Sequence, residues 1–95
     1  MVQGNRIAAL PGEIGGLTAL TELDLRFNEL PEVPARLGEL RNLRWLDLRA
    51  NRLTTLPPEL AALPRLEKLD LRWNRLSTLP PAFAELEARG CLIYT

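Results

Sequence analysis

The chain has 95 residues, which is a length typical of a single domain. Its composition, 46% hydrophobic and 25% charged, is ordinary for a globular protein, and its 12 basic residues balance its 12 acidic ones. Because nucleic acids and anionic membranes attract proteins with a cationic excess, this balance argues against either as a partner.

The N-terminus and the cysteine content bear on location. Residues 1–5 contain no apolar stretch of the kind found in a signal peptide, and no apolar run approaches the roughly 18 residues of a membrane span. Cys91 is the only cysteine, so an internal disulfide is excluded. These features predict a cytoplasmic protein. All basic residues but Lys68 are arginine, which is typical of a GC-rich, bacterial genome.

An asparagine recurs every 23 residues along the chain. The set is Asn5, Asn28, Asn51 and Asn74. Apolar residues keep the same positions after each asparagine, including Leu-Pro at 10–11, 56–57 and 79–80 and Val-Pro at 33–34. A fixed interval of this kind indicates one structural unit that is repeated.

Each repeat predicts the same elements in the same order. The L-x-L stretches around Asp24, Asp47 and Asp70 alternate apolar and polar residues, which is typical of a short strand with its leucines facing the core. The asparagine then ends the strand, and its amide can satisfy backbone groups of its own coil and the next one, so we expect the four asparagines to be buried. Prolines follow, and they favour the first turn of a short helix.

One such coil cannot bury its own leucines, so neighbouring coils must stack. Strands then lie about 4.8 Å apart in a parallel sheet. Helices need about 8–10 Å, so they spread on the opposite side and leave the sheet concave. The sequence therefore predicts an α/β solenoid with short parallel strands on the concave side and short helical or 3-10 segments on the convex side.

The repeat L-x-x-L-x-x-L-D-L-x-x-N-x-L-x-x-L-P-x-x-L-x-x-L, over about residues 5–86, resembles the leucine-rich repeat. Its 23-residue spacing and Leu-Pro pair are similar to the intracellular subclass found in Ras-pathway scaffolds, plant Ras-group proteins and Roco-type proteins. The resemblance implies a right-handed horseshoe whose concave sheet binds other proteins. It does not name the partner.

We predict one domain, residues 1–95, with a truncated first coil at 1–17, coils at 18–40, 41–63 and 64–86, and a closing strand at 87–95. In this register Leu92 and Tyr94 take the inward strand positions and Ile93 takes the Asp position.

At the other end, Met1 and Val2 form only the stub of a first strand, and no polar cap precedes it. The apolar residues of the first coil should then form an open flank; they are Ile7, Leu10, Ile14 and Leu17. An uncapped flank indicates a fragment of a longer solenoid, a shortened paralogue or an end-to-end dimer.

The repeat also aligns side chains in columns across the concave face. One column is Asp24, Asp47 and Asp70, and the next is Arg26, Arg49 and Arg72. Like charges in a column repel each other, and diagonal Asp–Arg contacts relieve that repulsion. The columns are interpreted either as a solvated ionic ladder, each pair worth about 0–1 kcal/mol, or as a charge-patterned floor that orients a partner.

Aromatic residues interrupt two further columns. These columns are Glu22, Trp45, Lys68, Cys91 and, just past the strands, Gly4, Phe27, Ala50, Trp73. A tryptophan on a polar face is typical of an interface anchor, so Trp45 is predicted to bind a partner. Phe27 and Trp73 are predicted to cover the edge of the core, with binding as the alternative. The predicted protein-binding set is Trp45, Arg49, Trp73, Arg72, Arg26, Phe27, Asp47, Asp70 and Lys68.

Catalysis has little support in the sequence. The chain contains no histidine, which removes the commonest general base and metal ligand. Ser77 and Cys91 have no activating partner, the arginines neutralise the Asp column, and no glycine-rich phosphate loop is present. We predict no catalytic, metal or cofactor site. The expected function is a non-catalytic module that binds a protein or peptide on its concave face. The alternative is a structural or assembly element that self-associates through its N-terminal flank.

Overall fold

The computed structural model describes residue 6 and residues 9–95. It is a stack of coils with short strands on one side and short helices on the other. The strands are β1 (Glu22–Asp24), β2 (Trp45–Asp47), β3 (Lys68–Asp70) and β4 (Leu92–Tyr94). The helices are three 3-10 helices, η1 (Gly12–Gly16), η2 (Ala35–Glu39) and η3 (Pro58–Ala62), and one α-helix, α1 (Phe83–Ala88). The predicted α/β solenoid is confirmed.

The four strands form one parallel sheet in chain order. Leu23 pairs with Leu46 and Leu46 with Leu69, so β1 to β3 repeat in register at 23 residues. These leucines face the core and are buried, because alternate residues of a strand point to opposite sides of the sheet. β1, β2 and β3 each end at an aspartate, four residues before the asparagine at which the sequence predicts the end of the strand.

The 3-10 helices begin where the sequence places a proline. Pro11, Pro34 and Pro57 stand just before them in extended backbone and accept the first hydrogen bonds through their carbonyls. Proline suits this place because its fixed φ starts the turn and its missing N–H would have had no partner there.

The core is a stack of leucines that crosses all the coils. Leu25, Leu48 and Leu71 follow the strands, and their side chains are almost completely buried. Full burial of a leucine contributes about 1.5–3 kcal/mol relative to exposure, so the stack is the main source of stability. No single coil could provide it alone, which is why the repeats stabilise one another.

The asparagines tie neighbouring coils together. Asn51 Nδ2 donates to Leu48 O in its own coil and to Leu25 O in the preceding one, both at 3.0 Å. Asn74 makes the same contacts one coil later, with Leu71 O at 3.0 Å and Leu48 O at 2.9 Å. Asn28 and Asn51 are buried as predicted, whereas Asn74 is only half-buried. Asn5 lies outside the described residues.

On the convex side, small residues allow the helices to approach closely. A Cβ on Gly15 would lie 2.7 Å from Arg36 O, and one on Gly38 would lie 2.6 Å from Glu59 O. These distances are closer than real Cβ atoms approach, so only glycine fits at both positions without a shift of the backbone. Ala61, at the same repeat position in the third coil, is buried.

The closing strand differs from the predicted register. Leu92 pairs with Lys68, Ile93 with Leu69 and Tyr94 with Asp70, so β4 starts one residue later than a 23-residue interval would place it. The prediction that Leu92 and Tyr94 face the core is therefore wrong: both are exposed, and Ile93 packs against the core instead. Cys91 is likewise not on the concave face but buried.

The extra residue is absorbed between α1 and β4. The return segment forms an α-helix in this coil, and the chain leaves it through Gly90 at φ 92°, a backbone conformation that glycine adopts without strain. Arg89 Nη2 then reaches back to Ala61 O and Leu63 O, at 3.0 and 3.1 Å, and fixes this end against the third coil.

At the other end, the predicted strand stub at Met1 and Val2 and the predicted flank residue Ile7 lie outside the described residues. Leu10 and Ile14 are half-buried, and Leu17 is 53% exposed. Across residue 6 and residues 9–95, no helix has the length and apolar character needed to cross a bilayer.

Candidate protein-binding face

The sheet presents two columns of side chains on its concave face. On each strand, the residue before the central, core-facing residue belongs to what we call the concave column. The residue after it belongs to the acidic column, which is named for its three aspartates. The concave column is Glu22, Trp45, Lys68 and Leu92. The acidic column is Asp24, Asp47, Asp70 and Tyr94. Because the strands are in register, members of a column lie one strand spacing apart, about 4.8 Å.

Each aspartate binds the arginine two residues further along its own coil. Arg26 donates to Asp24 through Nε and Nη2, at 3.0 and 2.9 Å, and Arg72 makes the same fork on Asp70 at 3.0 and 2.7 Å. The backbone N–H of each arginine also donates to its aspartate. Bidentate pairs of this kind are geometrically specific and stronger than neutral hydrogen bonds.

Neighbouring coils are joined by the same arginines. Arg26 Nε lies 3.5 Å from Asp47 Oδ2, and Arg49 Nε lies 3.4 Å from Asp70 Oδ2. The diagonal Asp–Arg contacts predicted from the sequence are thus present, together with the stronger contacts within each coil. Every arginine of this ionic ladder has a carboxylate partner, so the ladder is internally neutral.

Burial and pairing act in opposite directions on the aspartates. For Asp70, desolvation by burial raises the pKa, but hydrogen bonds from the Arg72 side chain and backbone, and the charges of Arg72 and Arg49, outweigh it. The pKa of Asp70 therefore lies below its ordinary value. The same balance, with Arg26 as the main partner, lowers the pKa of Asp24. Both carboxylates are ionised at neutral pH.

Asp70 is the most enclosed member of the ladder, at 1% exposure. Tyr94 stands beside it on β4, with Arg72 Cζ 5.3 Å and Lys68 Nζ 5.4 Å from the centre of its ring. These are distances at which a cation is attracted to an aromatic face. Asp70 is thus enclosed, whereas the side chain of its partner Arg72 stays 41% exposed.

A depression of about 340 Å³ lies on the concave face. Its lining consists of Glu22, Leu23, Asp24, Arg26, Trp45, Leu46, Asp47, Lys68 and Asp70. Trp45 is 49% exposed, so its ring is an apolar surface between charged neighbours. Arg49, Arg72, Phe27 and Trp73 do not line this depression.

Phe27, Ala50 and Trp73 follow the strands in left-handed backbone, at φ 58°, 55° and 62°. This conformation costs a non-glycine residue roughly 1–2 kcal/mol. Phe27 and Trp73 are 53% and 66% exposed, so they project from the rim of the sheet more than they cover the core. Trp73 borders a second, shallower groove with Ala50, Arg52 and Arg75.

Sequence reasoning missed two surface residues of this face, Leu92 and Tyr94. The signal available was Gly90, because a glycine before a strand allows a left-handed residue that can absorb one extra position. A strict 23-residue interval instead places the side chains of Leu92 and Tyr94 in the core. With them included, the concave face has apolar side chains on β2 and on β4, with Lys68 between Trp45 and Leu92.

The single thiol is held away from solvent. Cys91 is buried, which raises the pKa of its thiol; Arg89 lowers it in part and Glu87 raises it. A raised thiol pKa means little thiolate at neutral pH and hence low nucleophilicity. Among the described residues, no group of three or more carboxylate or thiol side chains is arranged to hold a metal ion.

Comparison with known proteins agrees with this geometry. A family model described as "Leucine rich repeat" matches residues 41–88. A leucine-rich-repeat protein of Leptospira interrogans is 43% identical, with a TM-score of 0.84 over 86% of this chain and 21% of that one. The BIR3–SERK2 complex from Arabidopsis thaliana contains a chain that is 31% identical, with a TM-score of 0.73 over 90% of this chain and 47% of that one. A search of curated proteins found no match.

The stacked coils and their concave sheet define a repeat protein of the solenoid class. The chain belongs to the leucine-rich-repeat family. It spans about a fifth of the length of the Leptospira protein and about half of the Arabidopsis chain. This fold is generally a non-enzymatic module for interaction with other proteins, and the Arabidopsis relative was solved in a complex with another protein.

Proposed function

We propose that this chain binds a protein or peptide partner on its concave face, with Trp45 as the central anchor. The observation that carries the proposal is a half-exposed tryptophan in a depression between charged side chains, on a sheet whose opposite face is fully packed. Tryptophans in such settings dominate many interfaces, because they bury a large apolar area at a low cost in conformational entropy.

Leu92 and Tyr94 extend the proposed contact surface. They supply apolar area on the last strand beside Lys68 and Arg72, and Arg72 keeps 41% of its side chain exposed although it binds Asp70. Arg72 can therefore contact a partner carboxylate without leaving its own aspartate. Phe27 and Trp73 at the rim would contact only a partner that is wider than the sheet.

The ionic ladder has a supporting role in this proposal. Asp70 is enclosed, and Arg49 donates to Asp47 while approaching Asp70, so neither is free to contact a partner by itself. Asp47 and Arg26 line the depression beside Trp45. Their contribution is to hold the floor rigid and electrically neutral around Trp45.

The test is affinity capture with the wild-type chain and two variants. Trp45→Ala removes the anchor, and Glu85→Ala on the exposed side of α1 is the matched control on another surface. We expect Trp45→Ala to lose the captured partner and Glu85→Ala to retain it. Replacement of Arg49 should be avoided, since it would remove the bidentate partner of Asp47 and one of the two arginines beside the buried Asp70. Equal capture by all three proteins contradicts the proposal.

A second candidate function, self-association through the N-terminal flank, is supported by one comparison within the chain. Leu17 is 53% exposed, whereas Leu40, Leu63 and Leu86 at the same repeat position are fully buried. The opposite end differs, because α1 presents Glu85 and Glu87 outward. An isologous contact between two N-terminal flanks would bury Leu17 of both copies.

Sedimentation measurements test this second candidate. Leu17→Glu should shift the chain from dimer to monomer, while Leu92→Glu places the same charge on a similarly exposed leucine of the concave face and should leave the mass unchanged. A wild-type chain that stays monomeric at high concentration would exclude this candidate.

A further inference from the structure

The concave column carries an ordered charge pattern that the ionic ladder does not neutralise. Glu22 stands at its first position and Lys68 at its third, both are exposed, and neither forms an ion pair with another residue of the described chain. Trp45 lies between them and Leu92 lies beyond Lys68. From β1 to β4, the column is acidic, aromatic, basic and apolar.

This inference rests on the proposed function and specifies the partner. We propose that the concave column binds an α-helical segment whose contact stripe is basic, apolar, acidic, apolar from β1 to β4. A basic side chain then lies over Glu22, an apolar one over Trp45, an acidic one over Lys68 and an apolar one over Leu92. Charge complementarity of this kind fixes the register of a partner and rejects the exchanged order.

The spacing of the column favours a helix over an extended strand. Three strand intervals span about 14 Å. A helix places stripe residues i, i+3, i+7 and i+10 over about 15 Å. The four same-side residues of an extended segment span about 20 Å, which overshoots the sheet. The helix axis would run across the strands, along the stack of coils.

Two features of the site prepare it for such a partner. Lys68 is held against the ring of Tyr94, with 5.4 Å between Nζ and the ring centre, so its ammonium group has a defined position. Beside the concave column, Asp24 and Asp47 are bound by Arg26 and Arg49, so they do not compete for the basic side chain of the partner. Within the concave column, Glu22 and Lys68 are the charged side chains that form no ion pair with a described residue.

The probes are two alanine-based helical peptides of identical composition. In the first, Arg, Leu, Glu and Leu occupy positions i, i+3, i+7 and i+10, and in the second Arg and Glu are exchanged. Docked in the opposite direction, the exchanged peptide restores the Arg, Leu, Glu order only after a shift of one stripe position, which leaves no leucine over Leu92. Binding is followed by the fluorescence of Trp45 in a Trp73→Phe background, which leaves a single tryptophan.

We expect the first peptide to bind about tenfold more tightly than the second, since the second must either place like charges over Glu22 and Lys68 or give up the apolar contact with Leu92. The double variant Glu22→Lys, Lys68→Glu keeps the net charge and should invert the preference. High salt should reduce the difference in both proteins, because exposed charges are screened.

The outcomes separate the two proposals. Any of three results overturns the assigned charge order. These are equal binding of both peptides, a preference that the charge-exchanged protein does not invert, and no binding up to about 1 mM. Calorimetry with Trp45→Ala then tests the proposed function separately. If that variant abolishes binding of peptides that show no charge preference, the concave face is still the binding site and only the charge order is wrong. If it binds as tightly as the wild-type chain, both proposals fail.

Discussion

The backbone N–H of Leu30 donates to Asn51 Oδ1 over 3.1 Å, which links the loop of one coil to the asparagine of the next. The N–H of Leu53 makes the equivalent bond to Asn74 Oδ1 at 3.0 Å. Both ends of each amide are thus used: Nδ2 binds its own coil and the preceding one, and Oδ1 binds the loop of the preceding coil. The asparagines therefore join successive coils by hydrogen bonds on the side where the strands end.

Asn51→Ala should lower the free energy of unfolding by about 1–3 kcal/mol, because it leaves the buried N–H of Leu30 without its partner and removes one of the two asparagine donors to Leu25 O and to Leu48 O. Asn42→Ala is the matched control. Asn42 also bridges coils, through Thr18 O and Arg65, but at positions open to water. Chemical denaturation should show a loss below about 1 kcal/mol for the control. Equal losses of unfolding free energy in the two variants would mean that burial of the asparagine does not determine its contribution to stability.

Gly38→Ala should destabilise the chain because its new Cβ would meet Glu59 O at 2.6 Å, a backbone atom that cannot move away alone. We expect a loss of about 1–3 kcal/mol, the usual cost of overpacking. Gly16→Ala is the control, because no atom lies within 4 Å of the added Cβ. Thermal and denaturant unfolding would check both. A Gly38→Ala protein as stable as Gly16→Ala would show that the convex helices can move apart freely.

Ala50→Gly should raise the stability of the chain. Ala50 has φ 55°, and relief of the left-handed strain, about 1–2 kcal/mol, exceeds the extra entropy of glycine in the unfolded chain, about 0.4–1 kcal/mol. Ala84→Gly is the opposite case, because Ala84 is exposed within α1. This variant should lower the free energy of unfolding by about 1 kcal/mol. Denaturation midpoints that move in the same direction for both variants would contradict the strain argument.

Stability should fall in acid through the ionic ladder. Asp24 and Asp70 have folded pKa values below their ordinary value, so the folded state holds fewer protons than the unfolded state between the two pKa values. Their contribution is complete above the unfolded pKa, near 4, and is lost as the pH falls through the lowered folded pKa. Unfolding free energies measured across this acid range should decline more steeply for the wild-type chain than for Asp70→Asn. Parallel pH profiles would rule Asp70 out as a source of the acid dependence.

The closing strand can be tested through the only thiol. Cys91 is buried behind β4, so its reaction with an aromatic disulfide reagent should require opening of this end of the chain. Gly90→Ala puts a side chain at φ 92°, where no atom obstructs it but the backbone is strained, and should speed the reaction about 5- to 30-fold. Gly16→Ala at the far end should leave the rate unchanged. A Gly90→Ala rate equal to that of the wild-type chain would mean that the left-handed turn does not control the last strand.

The 23-residue period and its structural consequences were predictable from the amino-acid sequence alone. Leucines at a fixed interval cannot be buried within one coil, so stacking, the parallel sheet and the Asp and Arg columns could be predicted from Leu23, Asp24 and Arg26 and their repeats. The exposed position of Trp45 followed from the same alternation. Each of these features depends on the spacing of nearby residues, which can be read directly from the sequence.

The last strand and its consequences depend instead on tertiary packing. The face on which a strand residue lies depends on an unbroken count from the previous strand, and one extra residue reverses it. Whether that residue is accommodated depends on how α1 and Arg89 pack against the third coil, which no local pattern records. That packing exposes Leu92 and Tyr94 on the concave face and encloses Asp70, because side-chain burial is a property of the neighbours and not of the residue alone.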